Sequence, residues 1–267
     1  TSVKSRCQLS QIIRRWTGFR VSPDTPYVKI LAQHIQSFHQ NIVIDSQTMG
    51  SSDLRSKIVH SLDMPPVFWG DLWPSLYRLF EEVRRHSTVA ISGEAADEVF
   101  AGYRWFHDPK ALQADTFPWL IDATQKVFGS RHLLNQKFLE KLNLPGFVRE
   151  SYAQALAEVP RLSGESDQQH RIREISYLNL TRFVRALLDR KDRMSMAHGL
   201  ELRVPFCDHR LVQYAFNIPW EMKAFDGREK SILRAAAKDL LPTAIIERKK
   251  NPYPSTQDPS YLSLIHI

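Results

Sequence analysis

The 267-residue sequence has few of the features that define fibrous, disulfide-rich or membrane-spanning chains. Its 10 glycines and 15 prolines are too few for a collagen-like or linker-like protein. The two cysteines, Cys7 and Cys207, cannot make a disulfide framework or a zinc site by themselves. No apolar run reaches the ~18 residues of a membrane-spanning helix and no leader peptide follows Thr1, so we expect a cytoplasmic protein without a membrane partner.

The composition is that of an ordinary globular protein, with 43% hydrophobic and 24% charged residues. This apolar content can bury a core and therefore excludes wholesale disorder. Lysine and arginine total 36 against 29 acidic residues, which gives a net charge of +7. The excess is equally compatible with a solvated basic surface and with a polyanionic ligand, such as a nucleic acid or the pyrophosphate of a nucleotide.

Helix and strand patterns alternate in the first third of the chain, which indicates a doubly wound α/β layer. Helical spacing of apolar residues marks segments 26–35 and 72–85. Short β-branched or apolar runs predict strands at 41–45 and 87–91, the second of them buried in a parallel sheet. The proline-containing segment 65–71 interrupts regular structure.

From about residue 110 onward we find no strand pattern, and the chain is predicted to be helical. Helices are expected at residues 178–196, 211–216 and 230–241. Gly199 is placed as the stop signal of the first of these helices, and Pro242 ends the last. We therefore divide the chain into an α/β part, residues 1–110, and a helical part, residues 111–267.

Three acids, Glu94, Asp97 and Glu98, follow the strand predicted at 87–91 within five residues. Ser92 and Gly93 make the turn, and a helix is expected to open at Glu94. Ligands of open α/β sheets bind beyond the carboxyl ends of strands, and helix starts attract anions. Glu94 and Asp97 share a helix face, so they could hold Mg²⁺ or move a proton. Interaction with the helix dipole, with Ser92 as the N-cap, explains the same acids without any function.

Four blocks of the chain resemble signatures of the asparagine synthetase superfamily. They are SGEAADEVFAGY (92–103), DRMSMAHGLELRVPFCD (192–208), GREKSILR (227–234, followed by Leu241 and Pro242) and RKKNPYP (248–254). The blocks occur in the family's order, and a weaker similarity extends over residues 21–86. The resemblance implies a partial ATP-pyrophosphatase-type parallel sheet, the adenine nucleotide alpha hydrolase-like fold, followed by a mainly helical region.

The resemblance also implies an AMP-forming carbon–nitrogen ligase of the synthetase domain. In that family ATP adenylates the side-chain carboxylate of aspartate, and ammonia derived from glutamine converts β-aspartyl-AMP to asparagine. Adenylation supplies a leaving group, because a free carboxylate would have to expel oxide. Mg²⁺ and basic groups offset the repulsion between the two anionic substrates. The implied partners are aspartate or a related acid, and ammonia from an N-terminal glutaminase domain.

Site residues are carried over by motif match. Glu94, the predicted catalytic acid, matches the family glutamate tied to formation of the acyl-adenylate. Lys250 matches the lysine of the Arg-x-Lys segment, a compact charge suited to the phosphate transition state, and the adjacent Lys249 is its rival. The predicted contacts to the nucleotide are Ser92, Gly93, Asp97, Lys230, Asp192 and Arg193. Asp97 is also the predicted ligand of Mg²⁺.

Some of these residues keep a structural alternative. Asp189 and Arg193 are spaced for an ion pair on one helix face that also carries Asp192, so these three form either an ion-paired helix end or direct contacts. Lys230 either reaches substrate or solvates its helix. Ala95 and Ala101 replace family glycines, where alanine costs about 1 kcal/mol if φ is positive. If the backbone is helical, alanine is as stabilising as glycine or more so, and we expect a helical backbone at Ala95.

The family's Ser-Gly-Gly-x-Asp-Ser phosphate loop does not occur in these residues, nor does its glutaminase domain with a terminal cysteine nucleophile. We expect the chain to start just after that loop, and the fragment to have little activity alone. The tail after Pro259 matches nothing expected of the family.

Three rival functions remain. A β-lactam synthetase-like enzyme would close an amide within one substrate, but such relatives tend to carry Tyr at the position of Glu94. Amidation of another acid is a second alternative. The third is a non-catalytic basic module that binds RNA. The basic residues are not interleaved with aromatic residues in any clear stripe, which argues against this function. The sequence leaves open the acid substrate and whether the protein forms a homodimer.

Overall fold

A computed structural model of the chain describes residues 8–14, 24–44, 46–64, 72–121 and 135–250. Within these ranges the strands are β1 (Gln8–Arg14), β2 (Phe38–Ile44), β3 (Val89–Ile91) and β4 (Glu201–Arg203). The first helices are α1 (Thr25–His34), α2 (Ser46–Gly50), α3 (Ser52–Leu62), α4 (Leu72–Arg84), α5 (Ala96–Val99), α6 (Pro109–Gln113) and α7 (Gln136–Leu142). They are followed by α8 (Leu144–Ala157), α9 (Asp167–Leu178), α10 (Val184–Met196), α11 (His209–Phe216), α12 (Trp220–Lys223), α13 (Ser231–Ala236) and α14 (Thr243–Ile246).

The described strands form two parallel pairs. β1 pairs with β2, with Gln8 opposite Phe38, and β3 pairs with β4, with Ile91 opposite Arg203. The described part of the chain is therefore mostly helical with a small amount of parallel sheet, which is compatible with the predicted α/β class. None of the helices in these ranges is both long and apolar enough to span a membrane.

The chain forms two compact units, each built from separate stretches of sequence. Unit 1 contains Thr1–Ser92, Leu188–Arg203 and Arg234–Ile267, and unit 2 contains Gly93–Leu187 and Val204–Leu233. The division at residue 110 stays a prediction.

The core of unit 1 is built on one face each of α3 and α4. Leu54, Ile58 and Leu62 recur every four residues of α3 and are buried, and α4 adds Trp73 and other apolar side chains at helical spacing. Ser51 begins α3 as an N-cap, because its hydroxyl accepts a hydrogen bond from the Leu54 N–H. The helices predicted at 26–35 and 72–85 are confirmed as α1 and α4.

Unit 2 is organised around α9. A capping box formed by Ser166 and Gln169 starts this helix, and its buried face carries Ile172, Ile175 and Leu178. Leu178 packs in an apolar cluster of unit 2 that also contains buried Phe117, Tyr152 and Ala155.

The strand predictions were only partly right. The strand predicted at 41–45 is confirmed as β2, although Asp45 lies outside the described residues. The prediction that no strand follows residue 110 was wrong, because β4 lies at Glu201–Arg203 and pairs with β3. The strand predicted at 87–91 is confirmed as β3, which lies in a parallel pair but has only three residues. The expectation that it is buried was wrong, because Ile91 at its end is 78% exposed.

Two predicted helices were too long. The helix predicted at 178–196 is interrupted by a π-helical turn at Asn179–Phe183, after which α10 begins. Gly199 has φ of +66°, the left-handed conformation expected of a stop signal. The helix predicted at 230–241 ends at Ala236, and Pro242 instead begins α14. The helix predicted at 211–216 is confirmed within α11. Cys7, segment 65–71 and residues 251–267 lie outside the described residues.

Candidate active site

Ser92 lies at the carboxyl end of the β3–β4 pair, in unit 1. Its N–H donates to the carbonyl oxygen of Arg203 at 2.8 Å, which extends the ladder one residue past β3. Its hydroxyl accepts a hydrogen bond from the Lys191 ammonium at 3.0 Å. The sequence analysis did not find Lys191, since a lysine beside Asp192 on a polar helix face carries no signal of its own.

The turn after Ser92 differs from the predicted helix start. α5 begins at Ala96 rather than at Glu94, and its N-cap is Ala95, not Ser92. Ala95 has φ of +69° and Ala101 has φ of +55°, so both lie in the left-handed region. The expectation that Ala95 is helical was therefore wrong. Both alanines occupy a backbone conformation that favours glycine and costs alanine about 1 kcal/mol.

Asp97 forms an ion pair with Lys230 inside unit 2. The Lys230 ammonium donates to Oδ1 of Asp97 at 2.9 Å, and the Gly102 N–H donates to the Asp97 carbonyl at 2.7 Å. A Cβ on Gly102 would lie 1.8 Å from the same Oδ1 and 2.8 Å from the Asp97 Cα, so this position must be glycine. Lys230 was expected either to reach substrate or to solvate its helix. The structure shows its ammonium bound to Asp97, a predicted site residue, and this contact does not decide between the two alternatives.

Glu98, which the sequence analysis did not assign, is 2% exposed and is buried beside these groups in unit 2. The Tyr103 hydroxyl donates to its Oε1 at 2.6 Å. The pKa of Glu98 is raised to about 7, chiefly by burial and in smaller part by the negative charges of Glu94 and Asp97, while the hydrogen bond from Tyr103 opposes the rise. Burial likewise raises the pKa of Tyr103, whose ring stacks on Trp105 at 4.2 Å. Near neutral pH, Glu98 therefore carries a proton for much of the time.

The donor set suits a magnesium ion that is held partly by a substrate. In the described ranges no three His, Cys, Asp or Glu side chains are grouped so that they could hold a metal ion. Mg²⁺ is commonly bound by one or two carboxylates together with substrate phosphates, so a full protein cage is not required. Asp97 is the carboxylate predicted for such a site, and it lies close enough to Glu98 to raise its pKa.

Arg193 and Asp189 form the helix-end arrangement in unit 1. Arg193 donates from Nε to the Asp189 carboxylate and from Nη1 to the Leu62 carbonyl, both at 2.9 Å. The second bond satisfies a carbonyl at the carboxyl end of α3. These contacts favour the structural alternative for Arg193. Asp192 is exposed beside a surface groove that His60 also lines. The role of either residue as a nucleotide contact stays a prediction.

The Arg-x-Lys segment follows α14 in unit 1. Arg248 pairs with the Asp24 carboxylate and lies over the Tyr27 ring at 5.2 Å, which fixes the segment to the start of α1. Lys249 and Lys250 come next and are both exposed. Both remain candidates for the active-site lysine.

Comparison with known proteins decides the family. The sequence profile of asparagine synthase matches residues 2–265. The chain belongs to the asparagine synthase family. It is 40% identical to asparagine synthetase (glutamine-hydrolyzing) 3 of Bacillus subtilis (strain 168). The alignment of 245 residues covers 92% of this chain and 38% of that protein.

More distant relatives agree. The chain is 30% identical over 205 residues to asparagine synthetase (glutamine-hydrolyzing) 1 of Bacillus subtilis (strain 168), covering 67% of this chain and 32% of that protein. It is 25% identical over 241 residues to the rat (Rattus norvegicus) asparagine synthetase, covering 88% and 32%. The chain thus spans about a third of the length of these relatives, 32–38%. The resemblance read from the four sequence blocks is confirmed for this asparagine synthase family member, whereas its site assignments stay predictions.

Proposed function

We propose that the chain serves ATP-dependent asparagine synthesis, as an AMP-forming ligase that adenylates the aspartate side chain and amidates it with ammonia from glutamine. The observation that carries the proposal is the contact between Asp97 and Lys230, which joins the first and third family blocks in one unit. Chain connectivity places the acidic turn directly after a parallel strand, where α/β proteins bind ligands. We include in this proposal the ATP-pyrophosphatase-type sheet and a cytoplasmic location.

The residues have distinct proposed roles. Ser92 and Gly93 approach the nucleotide with their backbone, because neither carries a bulky side chain. Glu94 meets the carboxylate that becomes the acyl-adenylate and handles the proton of the incoming amine. Lys250 offsets the charge that develops on the reacting phosphate, as a mobile point charge can.

Mg²⁺ would be held by Asp97 and the phosphates of ATP, where it would neutralise charge on the pyrophosphate leaving group. Lys230 holds the Asp97 side chain in place through the 2.9 Å contact. Glu98, buried and hydrogen-bonded to Tyr103, lowers the negative charge of the turn near neutral pH by keeping a proton. The turn can therefore present two carboxylates to anionic substrates with less repulsion from a third.

Aspartate is the proposed acid substrate, and closure of an amide within one molecule is the less favoured reaction. The chain carries Glu94 at the position where β-lactam synthetase-like relatives tend to have Tyr. A carboxylate at this place suits deprotonation of an external amine that attacks the acyl-adenylate.

The decisive experiment is aspartate-dependent exchange of radiolabelled pyrophosphate into ATP by the full-length product of the gene. Exchange reports adenylation before amidation, so it does not need glutamine or ammonia. Glu94→Gln keeps the shape of the side chain, and its ammonia-dependent formation of asparagine, measured beside exchange, is expected to fall at least ~100-fold, in the range of one general acid–base group. Glu150→Gln, at an exposed glutamate of α8, is the matched control and should exchange normally. Normal exchange together with normal asparagine formation by Glu94→Gln would contradict the assignment. Exchange that occurs with another acid but not with aspartate would show that aspartate is not the substrate.

A further inference from the structure

Lys223, the last residue of α12, carries a buried ammonium that the proposed function does not use. The residue is 4% exposed. Within the described ranges, no side chain or carbonyl forms a hydrogen bond or an ion pair with this ammonium. Buried charges in proteins are normally paired, because taking an ion out of water is costly. An ammonium at this depth therefore points to a counterion that comes from outside the described residues.

Arg173 of α9 brings a second positive charge to the same part of unit 2. Burial and, in smaller part, the charge of Arg173 lower the pKa of Lys223, so the two cations lie close enough to repel each other. The two helices also meet through apolar side chains, since Trp220 of α12 packs in a cluster that contains buried Ile175 of α9. An anion beside both cations would turn this repulsion into attraction.

The guanidinium of Arg173 is held in a fixed orientation. Its Nε donates to Oε1 of Glu165 at 2.6 Å, and its central carbon lies 5.4 Å from the centre of the Phe216 ring. Nη1 and Nη2 have no hydrogen-bond partner among the described residues. These two nitrogens can therefore donate to both oxygens of one planar anion, which is the geometry that arginine prefers with carboxylates.

The charges of this cluster leave one positive charge over. Although burial raises the pKa of Glu165, the hydrogen bond from Arg173 and its other contacts hold that pKa below its ordinary value, so Glu165 is ionised at neutral pH. Glu165 offsets the charge of Arg173, and in the described part of the chain no carboxylate offsets that of Lys223. A carboxylate ligand has one negative charge and two coplanar oxygens, which match the excess charge and the arginine fork.

We propose that Lys223 and Arg173 form an anion site in unit 2 that binds a small carboxylate, with the Arg173 fork on its two oxygens and the Lys223 ammonium on one of them. The inference goes beyond the proposed function, which assigns no role to either residue. A bound carboxylate would pair the buried ammonium and hold α9 and α12 together.

The test measures the binding of carboxyl-labelled acetate to the full-length gene product by NMR line broadening, at pH 7 in a buffer without other carboxylates. The wild-type protein should bind acetate. Lys223→Met should weaken the binding at least about 10-fold, because a charge-assisted hydrogen bond is lost. Arg173→Lys keeps a positive charge beside Glu165 but loses the fork, so its affinity should lie between the two. Lys141→Met, at an exposed lysine of α7, controls for the loss of one positive charge and should bind as the wild type does.

Other anions define the chemical class of the ligand. Formate should displace acetate, and chloride at the same ionic strength should displace it less, because one chloride ion does not present two coplanar oxygens to the fork. Equal acetate binding by the wild type and Lys223→Met would overturn the inference, as would a wild-type protein that binds no acetate. Inorganic phosphate that binds at Lys223 where acetate does not would also overturn it.

These outcomes are separate from the exchange of pyrophosphate that tests the proposed function, because acetate binding needs neither ATP nor aspartate. If Lys223→Met does not fold, Lys223→Gln is compared with the wild type for the same anions and judged by the same outcomes.

Discussion

The Lys230 ammonium lies 2.9 Å from the Asp97 carboxylate, and 133 positions of sequence separate the two residues. Lys230 reaches this place from a left-handed backbone conformation, with φ of +57°, directly before α13. Gly102 packs against the same carboxylate from the other end of the first family block. The contact therefore ties the block that carries the acids to the block that carries the lysine, inside unit 2.

Removing the charge of Lys230 should affect activity more than stability. In Lys230→Met we expect the aspartate-dependent exchange of pyrophosphate to fall at least about tenfold, because the Asp97 carboxylate loses its partner. The free energy of unfolding should change by less than about 1 kcal/mol, since the two side chains are 23% and 27% exposed. Exchange assays and urea denaturation measure the two effects.

Lys57→Met is the matched control for that variant. Lys57 pairs with Asp53 at 2.8 Å on the exposed face of α3, outside the proposed site. It should leave both exchange and stability nearly unchanged. Equal exchange by the two variants would show that the Asp97 ion pair has no part in the reaction.

Replacing an alanine by glycine should destabilise the protein less where the backbone is left-handed than where it is helical. Ala95 is 2% exposed with φ of +69°, and Ala155 is 0% exposed in the middle of α8. Glycine removes a buried methyl group at either place and adds freedom to the unfolded chain. At Ala95 it also relieves the strain of the left-handed backbone, about 1 kcal/mol. We therefore expect Ala155→Gly to cost about 2 kcal/mol and Ala95→Gly to be close to neutral.

Urea denaturation of both alanine variants gives the comparison directly. The difference between their free energies of unfolding isolates the backbone conformation, because the lost side chain is the same. A loss at Ala95 as large as that at Ala155 would contradict the left-handed conformation assigned to this turn.

The elements that the sequence predicted correctly are those with a local signal. α4 carries its apolar residues at helical spacing, and α1 has Pro26 in its first turn, so neither needs a tertiary contact to be recognised. β4 was missed because three residues, Glu-Leu-Arg, show no apolar run. Its strand conformation comes from pairing with β3.

The candidate site was predicted in its residues but not in their contacts. The four blocks named Asp97 and Lys230 separately, and nothing local indicates that they pair. Lys191 and Glu98 were missed for the same reason: a lysine on a polar helix face and an acid in a run of acids become distinctive only once Ser92 and Tyr103 are seen beside them. The left-handed φ of Ala95 was also unpredictable, since alanine favours a helix when only its neighbours are considered.

Arg193 should contribute to stability rather than to nucleotide affinity. Arg193→Met removes the bonds to Asp189 and to the Leu62 carbonyl, and we expect the free energy of unfolding to fall by about 1–2 kcal/mol. Asp189→Asn keeps the Leu62 bond and should cost less. Calorimetric affinity for ATP should be the same in both variants as in the wild type. A tenfold weaker ATP affinity in Arg193→Met, without a change in stability, would instead place Arg193 in the nucleotide site.

Lys223 should make the protein less stable at neutral pH than at alkaline pH. This lysine ends α12 and is 4% exposed. The pKa of Lys223 is lowered from 10.5 to about 8, chiefly by burial and in smaller part by the positive charge of Arg173. Below pH 8 the folded and unfolded chains are both protonated, so the folded protein bears the whole cost of the buried charge. Between pH 8 and 10.5 the unfolded chain binds the extra proton, and stability therefore rises with pH.

The depression of the Lys223 pKa corresponds to about 3 kcal/mol. Methionine has a similar length and no charge, so Lys223→Met should raise the free energy of unfolding at pH 7 by up to this amount and remove the rise between pH 8 and 10.5. Urea denaturation at pH 7, 8.5 and 10 measures both effects, with Lys141→Met as the control for loss of one positive charge. A destabilised Lys223→Met at pH 7, or an unchanged dependence on pH, would mean that the Lys223 ammonium is compensated in the folded protein and that its burial carries no net cost.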